Sequence, residues 1–204
     1  MGKLIIVNGS PRAPKSNSKR LIAMFREFWQ NEVLLEYNVT QKKPELVLQK
    51  LEDGTDFLFV FPLYADSLPV TLMHFLKQLE AFPGEQKPRV HVIVNCGFLE
   101  PWQNDVAVDM IRLFCDQNGY SFGSFLEIGG GEAILDTPFA FLVRRKIKKL
   151  VRGISKNQKQ ELRVTMPIPK SLYLKAADNY WTQYGAKNKI TREQMDTMKI
   201  EGES

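Results

Sequence analysis

The feature that most constrains the fold of this chain is a set of short, continuously apolar runs, each followed by a helical pattern. The runs begin at Lys3, Asp56 and Arg89, and the stretch Phe57–Phe61 contains only Phe, Leu and Val. Apolar runs of this length are typical of strands that helices cover on both faces of a parallel sheet. Strands that alternate with helices in this way predict a doubly wound α/β domain.

Periodicity and turn residues predict where the elements lie. Strands are predicted at 3–7, 33–39, 56–61, 89–95 and 120–128, and helices at 18–31, 45–51, 70–82, 104–117, 139–151 and 171–187. Ser18 is expected to cap the first helix. We expect residues 1–160 to form the domain and residues 161–204 to form an extension that packs on it or on a dimer partner.

The composition excludes several classes of protein. The chain has 204 residues, of which 44% are apolar and 25% charged, as in an ordinary globular protein. Two cysteines are too few for a disulfide framework or for a cysteine-rich metal site. The sequence contains neither a signal-peptide pattern nor an apolar run of roughly 20 residues, so we expect a cytoplasmic protein without a membrane span or a metal ion.

The charge is concentrated in one segment. The net charge is +5, but residues 144–160 carry eight cations and no acid, so the rest of the chain sums to −3. One interpretation is a solvated helix face, and the other is a patch that attracts ligands bearing phosphate. No motif that reads nucleic acid accompanies the segment, so a nucleic-acid partner is not expected.

The loop after the first strand is rich in groups that bind anions. It carries hydroxyl, amide and guanidinium groups at Ser10, Arg12, Ser16, Asn17 and Ser18. The loop opens onto a helix, whose N-terminus favours a phosphate through its unpaired N–H groups. The alternative is that some of these residues only cap the helix. A nucleotide P-loop is not expected, because Pro14 occupies a position that requires Gly.

Two further loops follow the third and fourth predicted strands, at the same expected sheet edge. The first contains Pro62, Leu63, Tyr64, Asp66 and Ser67, and the second contains Asn95, Gly97 and Phe98. An ordinary connection, in which Pro69 begins the next helix, is the alternative for the first loop. Neither loop contains a His, so we expect Cys96 to be a packing residue and expect no catalytic side chain.

These segments, taken in order, resemble the flavin loops of the flavodoxin-like NAD(P)H-dependent FMN reductases. The residues that carry the resemblance are Gly9–Arg12, Ser16–Ser18, Pro62–Tyr64 with Pro69, and Asn95–Phe98, and weaker similarity extends over Cys115–Tyr120, Ile128–Gly131 and Met166–Trp181. The resemblance implies a five-stranded parallel sheet in the order 2-1-3-4-5, FMN at the strand ends, and a homodimer or homotetramer.

The resemblance also implies a role for each loop residue. The FMN phosphate would be held by Ser10, Arg12, Ser16, Asn17 and Ser18. The ribityl chain and one side of the ring would be lined by Pro62, Leu63, Tyr64, Asp66 and Ser67. The other ring edge would meet Asn95, Gly97 and Phe98.

The activity that the resemblance implies is hydride transfer from NADPH or NADH, through FMN, to a quinone or another small organic acceptor. We hypothesise that the basic segment attracts the phosphates of the nicotinamide co-substrate. Two alternatives stay open, namely a flavodoxin-type electron carrier that docks to a partner protein and a scaffold that binds no flavin.

Overall fold

The computed structural model describes residues 2–13 and 15–197, so Met1, Pro14 and residues 198–204 lie outside the described part of the chain. The strands are β1 (Lys3–Asn8), β2 (Glu32–Asn38), β3 (Asp56–Pro62), β4 (Arg89–Asn95), β5 (Phe122–Ile128) and β6 (Glu161–Val164). The helices are α1 (Asn17–Phe28), α2 (Glu45–Leu48), α3 (Val70–Glu80), α4 (Asp105–Asn118), α5 (Ala140–Ser155), α6 (Lys170–Lys187) and α7 (Arg192–Met195).

The strands form one sheet in the order β2-β1-β3-β4-β5-β6, and every pair is parallel. The predicted α/β class and parallel sheet are therefore confirmed. The predicted number of five strands is wrong, because β6 pairs with β5 from Phe125 opposite Glu161 to Ile128 opposite Val164. This strand has only four residues, and they lie in a polar stretch that carries no long apolar run.

Helices cover both faces of the sheet. Helices α1 and α5 pack against each other on one face, and α3 and α4 cover the other. The side chains of Phe57, Phe59 and Phe61 are fully buried among the residues of the second layer. From β1 the chain crosses the sheet in one direction to β2, and from β2 it crosses in the other direction to β3, on the far side of β1. The loops that follow β1 and β3 therefore diverge to opposite faces of the sheet, which leaves a crevice at the strand ends.

The first helix begins differently from the prediction. Its cap is Ser16, whose side-chain oxygen accepts a hydrogen bond from the Lys19 amide at 3.2 Å. Ser18, the predicted cap, lies within the first turn of α1 and is buried. The helix therefore begins two residues earlier than a Ser18 cap implies, and it ends at Phe28 instead of residue 31.

The chain divides into two compact units, Met1–Met166 and Pro167–Ser204. The first contains the whole sheet, including β6. In the second, α6 carries three aromatic rings that contact one another, those of Tyr180, Trp181 and Tyr184. The packing of the extension on the domain or on a partner stays a prediction. Within the described residues, we find no helix with both the length and the apolar character of a membrane span.

A buried histidine ties together three strands at the amino edge of the sheet. The backbone N–H of Ser124 donates to Nδ1 of His91 at 2.9 Å, and Nε2 lies 3.1 Å from a carboxylate oxygen of Asp56. Because a backbone N–H can only donate, Nδ1 accepts and Nε2 carries the proton. Burial lowers the pKa of His91, and the Asp56 carboxylate opposes that effect only in part.

We therefore expect His91 to be neutral, with its proton on Nε2, at the pH of about 6.5 where an ordinary histidine is half protonated. An unfolded histidine takes up a proton below pH of about 6.5 and the folded one does not, so the free energy of unfolding should fall as the pH falls through this range. The nitrogen chemical shifts of the His91 imidazole ring, followed as a function of pH, check this. An ordinary titration of His91 would contradict the assignment.

Candidate functional site

A cleft of about 480 Å³ lies at the carboxyl edge of the sheet, beyond the ends of β1, β3 and β4. Main-chain hydrogen bonds hold these ends together, since Gly9 N–H donates to the Val60 carbonyl at 2.9 Å and Leu63 N–H donates to the Asn95 carbonyl at 2.8 Å. The cleft thus lies at the point where the strand order reverses, which is where open α/β sheets bind their ligands.

Eight of the predicted site residues line this cleft, from all three predicted loops. They are Ser10, Arg12, Ser16, Asn17, Ser18, Pro62, Tyr64 and Asn95.

The remaining five predicted residues are not in the lining. Leu63 packs against the core, and Asp66 and Ser67 lie in a tight turn whose Ser67 hydroxyl contacts the sulfur of Met110. Gly97 and Phe98 belong to the loop after β4, where they are exposed to solvent. Roles for these five residues in ligand binding stay predictions.

The sequence prediction missed four residues that line the cleft, namely Lys15, Lys19, Arg20 and Glu132. Three of them are cations in or next to the first loop, for which the prediction named mainly residues with hydroxyl and amide groups. Glu132 follows the glycine triplet 129–131 at the end of β5. The position of that triplet after a strand was the available signal, because the carboxyl ends of all parallel strands share one edge.

Short-range hydrogen bonds shape the loop after β1. The side-chain oxygen of Asn8 accepts from the Ser10 N–H at 3.1 Å, and the Ser10 hydroxyl accepts from the Arg12 N–H at 3.2 Å. With Ser16 as the cap, these bonds turn the chain so that the first turn of α1 faces the cleft. That turn offers N–H groups that have no partner within the helix, together with the positive end of the helix dipole.

The charge of the cleft is positive. Lys19 pairs with Glu36, and Arg20 pairs with Asp136, with Nη2 and Oδ1 2.7 Å apart. Arg12 and Lys15 are exposed and make no ion pair with any residue in the described part of the chain. Two cations beside a helix N-terminus therefore remain available to an anion, while the lining contains one carboxylate, that of Glu132.

Asn17 joins the helix to the far wall of the cleft. Its amide nitrogen donates to the Gly131 carbonyl at 2.9 Å, and its amide oxygen accepts from Nη1 of Arg20 at 3.1 Å. Both ends of the side chain are thus engaged with protein groups. Asn17 positions the loop after β5, and its contribution to an anion comes from its backbone N–H.

Main-chain contacts also join the loops after β4 and β5. Gly131 N–H donates to the Cys96 carbonyl at 2.7 Å, and Gly130 N–H donates to the Phe98 carbonyl at 2.5 Å. A methyl group at Gly131 would lie 2.7 Å from Cβ of Asn95, closer than real side chains approach. Glycine is therefore required here to let the backbone lie against the Asn95 side chain.

The loop after β3 forms a tight turn at the rim of the cleft. Tyr64 and Ser67 exchange two main-chain hydrogen bonds of 2.9 Å, and the two residues between them, Ala65 and Asp66, have φ values of 46° and 55°. This conformation costs a residue with a side chain on the order of 1 kcal/mol. The turn keeps the Tyr64 ring, which is 46% exposed, beside the cleft.

We predict that Ala65→Gly raises the free energy of unfolding by about 1 kcal/mol, because glycine adopts positive φ without a steric penalty. The matched control is Ala81→Gly, at an exposed position where φ is −77°. That substitution is expected to lower stability or leave it unchanged, since it only adds freedom to the unfolded chain. Denaturant unfolding of both variants tests the strain, and a loss of stability in Ala65→Gly would refute it.

Two ionisable groups lie behind the loop that follows β4. Burial raises the pKa of the Cys96 thiol, so this cysteine is a weak nucleophile, as expected for a packing residue. Burial also raises the pKa of Glu127 to about 7, although the Arg163 guanidinium, 2.5 Å away, opposes the shift. This ion pair, between a buried carboxylate and a half-exposed guanidinium, links β5 to β6.

The donor set of the cleft fits FMN. Ser18 Oγ and Asn95 Oδ1 are buried, line the cleft and have no hydrogen-bond partner among the described residues. A buried acceptor such as Asn95 Oδ1 needs a donor, which the hydroxyl and N–H groups of a flavin can supply. The cations and N–H groups at the other end of the cleft suit a phosphate. No cluster of side chains in the described residues suits a metal ion.

No protein-family model matches the sequence, and no curated protein matches it. Solved structures do match the fold. An FMN-dependent NADH-azoreductase from Bacillus anthracis, in complex with FMN, is 16% identical with a TM-score of 0.57, over 76% of this chain and 99% of that chain. The NAD(P)H:quinone oxidoreductase of Methanothermobacter marburgensis is 12% identical with a TM-score of 0.58, over 75% and 96%.

A Fusobacterium nucleatum flavodoxin bound to flavin mononucleotide is 14% identical with a TM-score of 0.55, over 78% of this chain and all of that chain. These likenesses confirm, at the level of the fold, the resemblance found in the sequence. The chain has the flavodoxin-like fold that it shares with FMN-dependent NADH-azoreductases, an NAD(P)H:quinone oxidoreductase and a flavodoxin.

Proposed function

We propose that the protein is an oxidoreductase that binds FMN in this cleft and transfers hydride from NADPH or NADH to a quinone, an azo compound or another small organic acceptor. The observation that carries the proposal is the anion-binding end of the cleft. There a helix N-terminus and two cations without ion pairs meet at the point where the strand order reverses. The fold shared with FMN-bound neighbours supports it.

Each side of the cleft has a separate task. Arg12, Lys15 and the first turn of α1 would hold the phosphate, and Asn95 would accept a hydrogen bond from the ring or the ribityl chain. Asn17 acts as a positioning residue, since its side chain joins α1 to the Gly131 carbonyl. The Tyr64 turn shields the cleft at its rim and limits access of water to the bound group.

FMN, when bound, supplies the hydride chemistry. The residues of the cleft would need only to bind it, orient it and partly cover it. A flavodoxin-type carrier is the second candidate, and the likeness to a flavodoxin supports it. The likeness to an FMN-dependent NADH-azoreductase and to an NAD(P)H:quinone oxidoreductase favours the reductase.

The test has two stages. Titration of the purified protein with FMN, followed by flavin fluorescence, should show saturable binding to one site per chain. Rapid mixing of the FMN-bound protein with NADPH or NADH without oxygen should then bleach the flavin absorbance within seconds. Binding without bleaching would leave the electron carrier as the function. Absence of FMN binding would contradict both and favour a scaffold.

We predict that Arg12→Gln weakens FMN binding about ten- to a hundredfold, because a hydrogen bond between charged groups contributes roughly 1.5–3 kcal/mol. The loss should shrink as salt is added, since salt screens the exposed charge. Lys77→Gln removes an equal charge from the exposed side of α3 and is the matched control. Equal losses in both variants would indicate an effect of net charge and not of the cleft.

We also expect the chain to be cytoplasmic and to form a homodimer or homotetramer. The aromatic rings of α6 support self-association, since Tyr180, Trp181 and Tyr184 are each about half exposed. Sedimentation of the purified protein tests the oligomeric state.

A further inference from the structure

Helix α5 and the edge strand β6 form a second concave surface, which we call the basic groove. Its volume is about 560 Å³, within the range of small-molecule sites. The apolar residues in its lining are Leu142 and Val164. Its cations are Arg145, Lys146, Lys148, Lys149 and Arg152.

The basic groove is separate from the cleft. No residue lines both. Helix α5 follows the carboxyl end of β5 and leads to the start of β6, so it runs away from the edge that bears the cleft. From Leu142 to Arg152 it descends about 15 Å. The end of the basic segment, Lys159, lies over the Phe122 ring at the opposite edge of the sheet, so the segment as a whole does not border the cleft.

The cations of the groove are not neutralised by the protein. Two other members of the basic segment have acidic partners, because Arg144 pairs with Glu27 and Lys159 pairs with Glu161. Within the described residues, none of the five groove cations makes an ion pair.

The spacing of these cations also makes them repel one another. Arg145 and Lys149, Lys148 and Arg152, and Lys149 and Arg152 are three or four residues apart on one helix. Each such pair of like charges destabilises a helix by roughly 0.2–0.5 kcal/mol. A bound anion with several charges would relieve this repulsion, whereas a single charge would reach only part of the row of cations, which is about 10 Å long from Arg145 to Arg152.

We propose that the basic groove binds a ligand that carries two or more linked phosphate groups and an apolar portion. The phosphates would contact the arginine and lysine side chains, of which arginine can bind a phosphate through two parallel hydrogen bonds. The apolar portion would lie on Leu142 and Val164. A single-stranded nucleic acid fits less well, because the lining contains no aromatic ring on which a base could stack.

The experiment uses calorimetry with geranyl diphosphate and inorganic pyrophosphate as probes. We expect the wild-type protein to bind geranyl diphosphate more tightly than pyrophosphate, because only geranyl diphosphate has an apolar portion that can contact Leu142 and Val164. The double variant Lys149→Glu/Arg152→Glu should lose at least tenfold in affinity for both. Lys77→Glu/Lys50→Glu, which changes the net charge equally on exposed positions outside the groove, should lose less than twofold.

Four other outcomes would decide whether the basic groove binds such a ligand. Equal losses in the two double variants, or no binding of either probe, would overturn the proposal. Tighter binding of a single-stranded oligonucleotide than of geranyl diphosphate would overturn it in favour of a nucleic-acid surface. Binding of phosphatidylglycerol vesicles without binding of either soluble diphosphate would overturn it in favour of a surface that binds single phosphates, whereas binding of the soluble diphosphates that is lost in the groove variant would support it.

Two measurements separate this site from the cleft and from misfolding. The affinity for FMN should be unchanged in the groove variant, so a failure of the proposed flavin chemistry leaves the groove result interpretable. The groove variant should also unfold at about the same temperature as the wild type, because it makes the pairs 145/149 and 148/152 attractive and leaves the pair 149/152 repulsive. A lower unfolding temperature calls for Lys149→Gln/Arg152→Gln, which is expected to show the same loss of affinity in the folded protein.

Discussion

The parallel pairing of β1 with β3 is the constraint on which the rest of the molecule depends. It places the point where the strand order reverses between β1 and β3. Because β1, β3 and β4 are parallel neighbours, the loops that follow them meet at one edge of the sheet. The pairing is stabilised by burial of apolar strand residues on both faces, and the interior phenylalanines of β3 provide much of that surface. A slip of one residue in β3 would exchange its two sides and move Pro62 and Tyr64 away from the cleft.

The cleft combines rigid and adjustable parts. The wall after β4 and β5 is fixed by main-chain hydrogen bonds, and Asn17 ties that wall to α1. By contrast, Arg12 and Lys15 are exposed and have no ion-pair partner in the described residues, so their side chains are free to adjust to a ligand. If FMN binds as proposed, the rigid wall would hold its ring while the charged end would tolerate some variation in phosphate position.

Much of this architecture could be predicted from the sequence, because apolar runs and turn residues report directly on buried parallel strands. Strand β4 has the predicted limits, Arg89–Asn95. Strand β6 could not be predicted, since four residues in a polar stretch carry too little pattern. The step from β5 to β6 continues the direction of the steps from β3 to β4 and from β4 to β5, but α5 lies on the α1 face of the sheet and not on the α3 and α4 face. The β5-α5-β6 crossover is therefore left-handed, which is rare. The prediction of site residues was limited in another way, because a loop sequence does not reveal which side chains turn toward the core, as that of Leu63 does.

The main-chain wall formed by residues 96–98 and 129–131 has a consequence for how such proteins diverge. Peptide groups are the same whatever side chains they bear, so a surface made from them can persist while most residues around it are replaced. Side chains are excluded at Gly129, where a Cβ would overlap the Leu99 carbonyl oxygen, and at Gly131, where a Cβ would lie 2.7 Å from Cβ of Asn95. Chains with largely different side chains can therefore keep the same fold at this sheet edge, which is consistent with a shared architecture at 12–16% identity.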